Sequence, residues 1–598
     1  MSLLLAMVLL LIPLAMAPAW FFYFDVTPKI LVLLVGTAAG AIWWAVAGGR
    51  RISRWFSVAL GGMAVSLVIS TAASVNRRLS LTGSNWRCWS LITQLAVLGF
   101  AWLAAQQAPR ALLRAIAAGG LLTAAYGIAQ YFGFDPLLDP RVYHVGEGIW
   151  AIVRPPSTLG HADYFGSWLL FVVFAGLALA SAKTSPAWKW LARFTVLLGS
   201  IAIILSGTRA ALAGLIAGAV FLMAWRGLRV TRPMITAALV IIAAGALFYI
   251  SPGGAMLRAR VHWVIQEPAG GARLLLWRDT LQMASHRWLA GYGPETFTAA
   301  FARHASPQLA HSYPDFYYES PHNFVLDVLA SQGVPGVLLL LLLGAAGFRA
   351  AWKVRPEPRA AALAAGLAAM TIAGQFASFT MPTGLAWYVT IAMLVSLASR
   401  ESPASGRRWW RMAAAAPCAG LLLFFAVRLL VSETTLAAVR RDLNAGSIRE
   451  AAARFAACPR GGPGADLWYS RRLAQFAGGN AALDMRAAAF QNAIWAARRA
   501  TETDDAPFNA DYNLAAIYAS QNDYVRTTEA LRAAISSAPN WFKPHWMLAQ
   551  VLAPGGDLAD AEAEAAHAAA LDAGKHAEVA ATLARIRAAR AAAKPIHK

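Results

Sequence analysis

Charge is scarce in this chain. Only 14% of its 598 residues are charged, where a soluble domain carries about 25%. That excludes an ordinary soluble fold for most of the length. Cysteine is nearly missing as well. Cys88, Cys418 and Cys458 stand far apart, with no CxxC pair and no metal-ligand spacing. Neither a zinc site nor a disulfide framework is expected. Acid is scarcest in the first 432 residues. Only 13 Asp and Glu precede residue 433, and none forms a DxD motif, which argues against a metal–nucleotide site there.

Apolar residues fill the gap. The chain is 58% hydrophobic and holds 23 Trp. Runs near 20 residues recur along the first 430 positions, each long enough to cross a hydrocarbon core of about 30 Å as a helix. Helices alone satisfy their own backbone in lipid. Thirteen spans are expected, near 2–24, 30–48, 55–73, 89–106, 112–132, 162–181, 190–205, 209–225, 233–251, 322–347, 360–380, 384–399 and 412–432. Ala15-Met16-Ala17 offers a signal-peptide alternative for the first, although its start carries no basic residue. The expected fold is all-α: a polytopic membrane bundle of 12–13 helices over 1–432, then a helical repeat domain over 433–598.

Charge orients the bundle. Alternate short loops are basic: Arg50, Arg51 and Arg54; Lys183, Lys189 and Arg193; Arg226, Arg229 and Arg232; Arg349, Lys353, Arg355 and Arg359; Arg400, Arg407, Arg408 and Arg411. The positive-inside rule makes these cytoplasmic. The N-terminus is then inside. Loops 74–88, 133–160 and 252–320 are outside, with everything after 432. Ten of the 13 early acids fall in or beside those outer loops, and only Glu357 and Glu401 belong to inner ones. The net charge of +22 is mostly topology, because the tail from 433 balances 19 basic against 17 acidic residues. No nucleic-acid partner is expected.

The outer loops carry the chemistry-bearing residues. RPPSTLGHADYFG places Arg154 and His161 at the start of a span, with Pro155 and Pro156 excluding helix before it. In LSGTRAALAGL, Arg209 separates two apolar runs and must lie near the outer membrane plane. Charges there tend to face a cavity or partner, although an interfacial Arg also snorkels to headgroups. GARLLLWRDTLQM predicts an amphipathic helix over 272–285, with Arg273 and Trp277 on one face. Gly291-Tyr292-Gly293-Pro294 forces a turn. Taken singly, these are ordinary interface features.

ESPHNFVLDVLASQGVPG follows the largest outer loop. Ser320 reads as an N-cap and Pro321 as the first helical residue. His322 then falls in the first turn, with Asn323 beside it. A helix start favours anions and disfavours imidazolium, so His322 is expected to be neutral and able to accept a proton.

The order of these motifs resembles the O-antigen ligase and polymerase superfamily. The matching pieces are SLTGSNWR, AAYGIAQYFGFDP, RPPSTLGHADYFG, LSGTRAALAG, GARLLLWRDTLQM…GYGPETF and SPHNFVLDVLASQGVPG, over about residues 70–400. The resemblance implies a GT-C type membrane glycosyltransferase that works without a metal or other cofactor. Its donor would be an undecaprenyl-diphosphate-linked glycan at the outer leaflet of the inner membrane. Its acceptor would be lipid A core, another glycan or a protein hydroxyl. By the same resemblance Arg209 and Arg273 bind the diphosphate and His322 is the catalytic base. Arg154, Arg87, His161, Asn323 and Trp277 are further candidates. One departure stands out: the family's first-loop motif has Gly soon after its Arg, where this chain has Cys88-Trp89-Ser90.

The tail is Ala-rich and charged, and two units align with a period of 34. Leu514 and Ala515 match Leu548 and Ala549, and Asp523 matches Asp557. This resembles tetratricopeptide repeats, which stack helix pairs into a concave surface. Such a surface would suit a periplasmic protein partner or an acceptor. Alternatives to a lipid-to-lipid transferase are a protein O-oligosaccharyltransferase, a transporter of lipid-linked sugars and a scaffold. Transporters show paired repeats with sites near the midplane, and no matched halves are visible here.

Overall fold

A computed structural model describes the chain except for residues 85, 146–151, 228–230, 267–270, 400–407, 459–463, 480–481 and 594–598. Arg229, Arg400, Glu401 and Arg407 therefore lie outside the described residues. Among the described residues the protein is all-α apart from a two-residue antiparallel pairing of His144–Val145 with Ile152–Val153. Thirteen apolar helices occupy the thirteen expected spans. Among the described residues ten are long and apolar enough to cross a membrane, and Ser2–Leu14 and Leu91–Ala105 are shorter; the thirteenth is Arg232–Ile250. This is a multi-pass membrane protein.

The bundle is built around Met381–Ala398 and Ala162–Ala180, which are buried over most of their length. Peripheral helices such as Arg209–Arg226 and Arg408–Asn444 leave much of their apolar surface outward, as lipid-facing helices do. The basic loops gather at one end. There Arg411 Nε donates to Ala45 O at 3.3 Å and Arg355 stacks on Trp352. Exposed Trp43, Trp55, Trp190, Trp352, Trp409 and Trp410 flank that end, in the manner of an interfacial aromatic belt.

The first span is shorter than the sequence implied. Its helix stops at Leu14, one residue past Pro13. The chain then turns back and Phe22 packs into the cluster of the C-terminal helices, with Leu436, Val439 and Tyr469. The buried Lys29 ammonium takes the freed Ala15 carbonyl at 2.9 Å. A proline-interrupted run beside a buried cation could not continue as helix.

The large outer loop is folded, with helices Ala255–Gln266, Arg273–Ser285, Phe297–Ala302 and Pro307–Ser312. It has its own core of Leu276, Met283, Tyr292, Phe297 and Phe301. It is anchored at a break in helix Phe324–Lys353, where Gly333 has φ +69 and Pro335 lacks an N–H. Val334 N donates to Trp288 O at 2.7 Å instead of closing a helical turn. The freed carbonyls of Ala330 and Ser331 accept from Tyr292 N (2.8 Å) and Gly293 N (3.0 Å). Gly291 approaches the Ser331 backbone so closely that a Cβ would stand 2.4 Å from it. The expected turn at 291–294 is thus the seam between loop and helix.

The last membrane helix, Arg408–Asn444, runs unbroken through residue 432. Helices Ile448–Ala457, Ala465–Ala477 and Leu483–Thr503 follow, then the pairs Pro507–Ser520/Tyr524–Ser537 and Phe542–Leu552/Leu558–Asp572, and finally Ala577–Ala593. The aligned Asp523 and Asp557 both stand at N-caps. These helices also touch the outer loop. Asn540 Nδ2 donates to Ala305 O at 2.8 Å, and His576 lies 3.3 Å from Asp315.

Candidate active site

The site forms at the end of the bundle opposite the basic loops. His322 lies there, but not inside a helix. The cap is Asn323, whose Oδ1 accepts from Val325 N (3.0 Å) and Leu326 N (3.1 Å), and the helix starts at Phe324. This corrects the expectation that Ser320 caps and Pro321 opens the helix. Asn is as good a cap as Ser, and His322 has φ +49, a left-handed conformation uncommon for a residue with a Cβ. Ser320 Oγ instead accepts from His322 N at 3.4 Å. Trp277 Nε1 donates to Pro321 O at 2.9 Å. The residue is clamped from both sides rather than carried on a helical turn.

The His322 ring reaches solvent, yet the surrounding protein still desolvates it. Burial first, and then the charge of Arg273, hold the His322 pKa below its ordinary value, with Asp163 opposing. His161 is likewise held low, mainly by burial. Both imidazoles are then neutral at pH 7.

Arginines converge beside it. Arg154 Nη2 binds Asp163 Oδ1 at 2.6 Å, and Thr208 Oγ1 donates to the same oxygen at 3.2 Å. His161 Nδ1 caps that helix by accepting from Asp163 N at 3.1 Å. Arg209 opens the membrane helix Arg209–Arg226, and Arg273 opens the loop helix Arg273–Ser285. Arg260, which the motif reading passed over, joins them. Its Nε donates to Gly207 O at 3.2 Å. Burial, then repulsion from Arg154 and Arg209, brings its pKa down to about 10 against the pull of Asp163. Arg273 is lowered too, by burial first, with Asp163 opposing and Arg209 and Arg154 adding repulsion. The Nε of Arg154 is buried and has no hydrogen-bond partner among the described residues. A buried unpaired donor in a crowd of cations suits an anion.

Arg87 is placed differently. It is buried, donates from Nε to Phe379 O at 2.7 Å, forks onto both oxygens of Asp327 and lies 3.6 Å from Glu295. Asp327 is in the first turn after Asn323, so Arg87 braces the helix that follows His322. The neighbouring departure from the family motif is also explained. Cys88 has φ +52, a conformation glycine adopts readily, so the side chain differs while the backbone path suits Gly. Cys88, Ser157, Glu295 and His322 are four of the six positive-φ residues with a Cβ among the described residues. Strain of this kind concentrates at functional sites.

Asn323 Nδ2 reaches Gln375 Oε1 at 3.3 Å. Among the described residues no group of three His, Cys, Asp or Glu could hold a metal ion.

Residues 194–341 match the family described as O-antigen ligase. The chain carries an O-antigen ligase domain. The match takes in Arg209, Arg260, Arg273, Trp277, His322 and Asn323, leaving Arg87, Arg154 and His161 outside it. No curated protein matches the chain. The O-antigen ligase domain and the bundle together give a membrane protein with a glycan-transfer function, acting as a glycosyltransferase-like enzyme.

Proposed function

We propose that this enzyme moves a glycan from undecaprenyl diphosphate to an acceptor hydroxyl at the periplasmic face of a bacterial inner membrane. The observation that carries the reading is the gathering of Arg154, Arg209, Arg260 and Arg273 around one carboxylate, Asp163, beside a neutral His322. A diphosphate brings about two negative charges, and guanidinium pairs with phosphate oxygens in bidentate geometry.

His322 takes the proton from the acceptor hydroxyl as its oxygen bonds to the anomeric carbon. The carbon–oxygen bond to the diphosphate breaks, and its electron pair leaves with undecaprenyl diphosphate. The arginines neutralise the charge growing on that leaving group. Direct displacement inverts the anomeric centre. Arg87, Asn323 and Trp277 act as positioning residues, holding the segment on either side of His322.

Charge bias supports the orientation, with the basic loops cytoplasmic and residues after 432 periplasmic. In this reading 1–432 is the transferase domain, including loop 252–320. Residues 433–598 are a tetratricopeptide-like domain that braces the loop and presents its remaining surface to a partner. The gathering of polar groups at one end favours chemistry over alternating access.

The test is purified protein with a lipid-linked glycan. Undecaprenyl diphosphate should be released, and His322→Ala should slow release about 10²–10⁴-fold. Full turnover by the variant would overturn the assignment of the base. Polymer formed from donor alone identifies a polymerase, whereas a requirement for core lipid or protein identifies the acceptor.

A further inference from the structure

A second basic recess lies where the last membrane helix meets the C-terminal helices. It is a cavity of about 470 Å³ lined by Arg440, Asn444, Trp468, Arg471, Arg472 and Gln475, together with Gly464 and Leu467. Ligand pockets span about 300–1,000 Å³, so the size suits a short oligosaccharide segment.

Each guanidinium hydrogen-bonds to neutral acceptors. Arg440 donates to the carbonyls of Pro18 (3.2 Å), Phe21 (3.3 Å) and Phe22 (3.3 Å). Arg471 donates to Asn509 Oδ1 at 2.8 Å. Arg472 reaches Asn444 Oδ1 and Gln475 Oε1, both at 3.4 Å. No carboxylate lines the recess among the described residues. Glu433, on the same helix as Arg440, is turned to Tyr23 N at 2.9 Å. These bonds position the arginines; Asp504 and Glu433 attract Arg471 and Arg440 through space, from outside the recess lining. Asn444 and Gln475 add amide donors and acceptors, and Trp468 adds an indole fixed edge-on against Phe22, with ring centroids 4.9 Å apart.

Cation, amide and indole together select among anions. A bare ion has no use for the amides or the ring. A charged sugar uses all three: its acid group on guanidinium, its hydroxyls on the amides and its C–H face on the indole. Height separates a sugar from a lipid headgroup. The apolar stretch of the last helix ends near residue 432, and at 1.5 Å per residue Arg440 stands about 12 Å beyond it. The polar headgroup layer is only about 5–8 Å deep on each side.

We propose that this recess binds an anionic saccharide, a uronic-acid-bearing or phosphorylated part of the glycan or its acceptor. The inference extends the glycan-transfer reading, but its test needs no turnover, so each stands or falls alone. The full chain in phosphatidylcholine nanodiscs is titrated calorimetrically with trigalacturonate, maltotriose or inorganic phosphate. Trigalacturonate should bind at least about tenfold tighter than either other probe. The double variant Arg471→Gln/Arg472→Gln, at two exposed positions, should weaken it at least about tenfold, since each charge-assisted bond is worth that much. His322→Ala should leave it unchanged. Three outcomes would overturn the proposal: maltotriose or phosphate binding as tightly as trigalacturonate, an unaffected double variant, or phosphatidylglycerol nanodiscs blocking binding as fully as the double variant does.

Discussion

Arg87 and Arg260 stand near the same site in opposite electrical surroundings. Arg87 is buried between Asp327 and Glu295 and bonded to a backbone carbonyl. Its charge is already answered. Arg260 feels Arg154, Arg209 and Arg273 against a single carboxylate, Asp163. Its charge is left over for something else. The contrast separates an arginine answered by acids from one crowded by other arginines, where sequence treats them alike. What matters is the balance of partners, not the residue type or its burial.

That contrast can be broken in several ways. Deleting the proposed base has the largest expected effect. His322→Ala should lower turnover about 10²–10⁴-fold while the thermal midpoint of the purified protein stays put. Arg87→Ala comes next and should act the other way. It leaves Asp327 and Glu295 buried and unanswered, costing about 3–5 kcal/mol of stability, read as a large fall in melting temperature. Arg260→Gln should weaken donor affinity by about 10–100-fold, the worth of a lost charge-assisted bond, with stability unchanged or raised. An Arg260→Gln protein that melts early while binding donor normally would erase the distinction.

Smaller effects sharpen it. Asn323→Ala removes the cap after His322 and should cost about 1 kcal/mol. The pH profile offers the finest probe. Because the His322 pKa is held below the usual value near 6.5, kcat/KM should rise through that lowered pKa and level off by pH 7. Acid protonates the base, so activity is lost as pH falls. Arg273→Gln removes one of the charges holding it down, and the acid limb should move upward towards 6.5.

Much of this was legible in the sequence. Apolar run length located a helix at each expected span, ten of them long and apolar enough to cross a membrane, because lipid enforces helix. The amphipathic run 272–285 appeared as Arg273–Ser285. Local rivals defeated the rest. Ser320-Pro321 and Asn323 are both sound helix starts, and a long-range contact distinguishes them: Trp277 holds the Pro321 carbonyl outside the helix. Arg260 carries no motif, and only the fold brings its helix over Gly207. Glu295 and Asp327 read as outer-face acids, and their pairing with Arg87 joins positions more than 200 residues apart.

The helix Arg408–Asn444 leaves the bilayer without a hinge. It is a mast, and the rest of the tail takes its bearing from it. At 3.6 residues per turn, one inserted residue rotates everything above by about 100°. A single alanine added after Ser432 would therefore swing Arg440 away from the Pro18–Phe22 carbonyls and pull the tail off the outer loop, with every membrane span left intact.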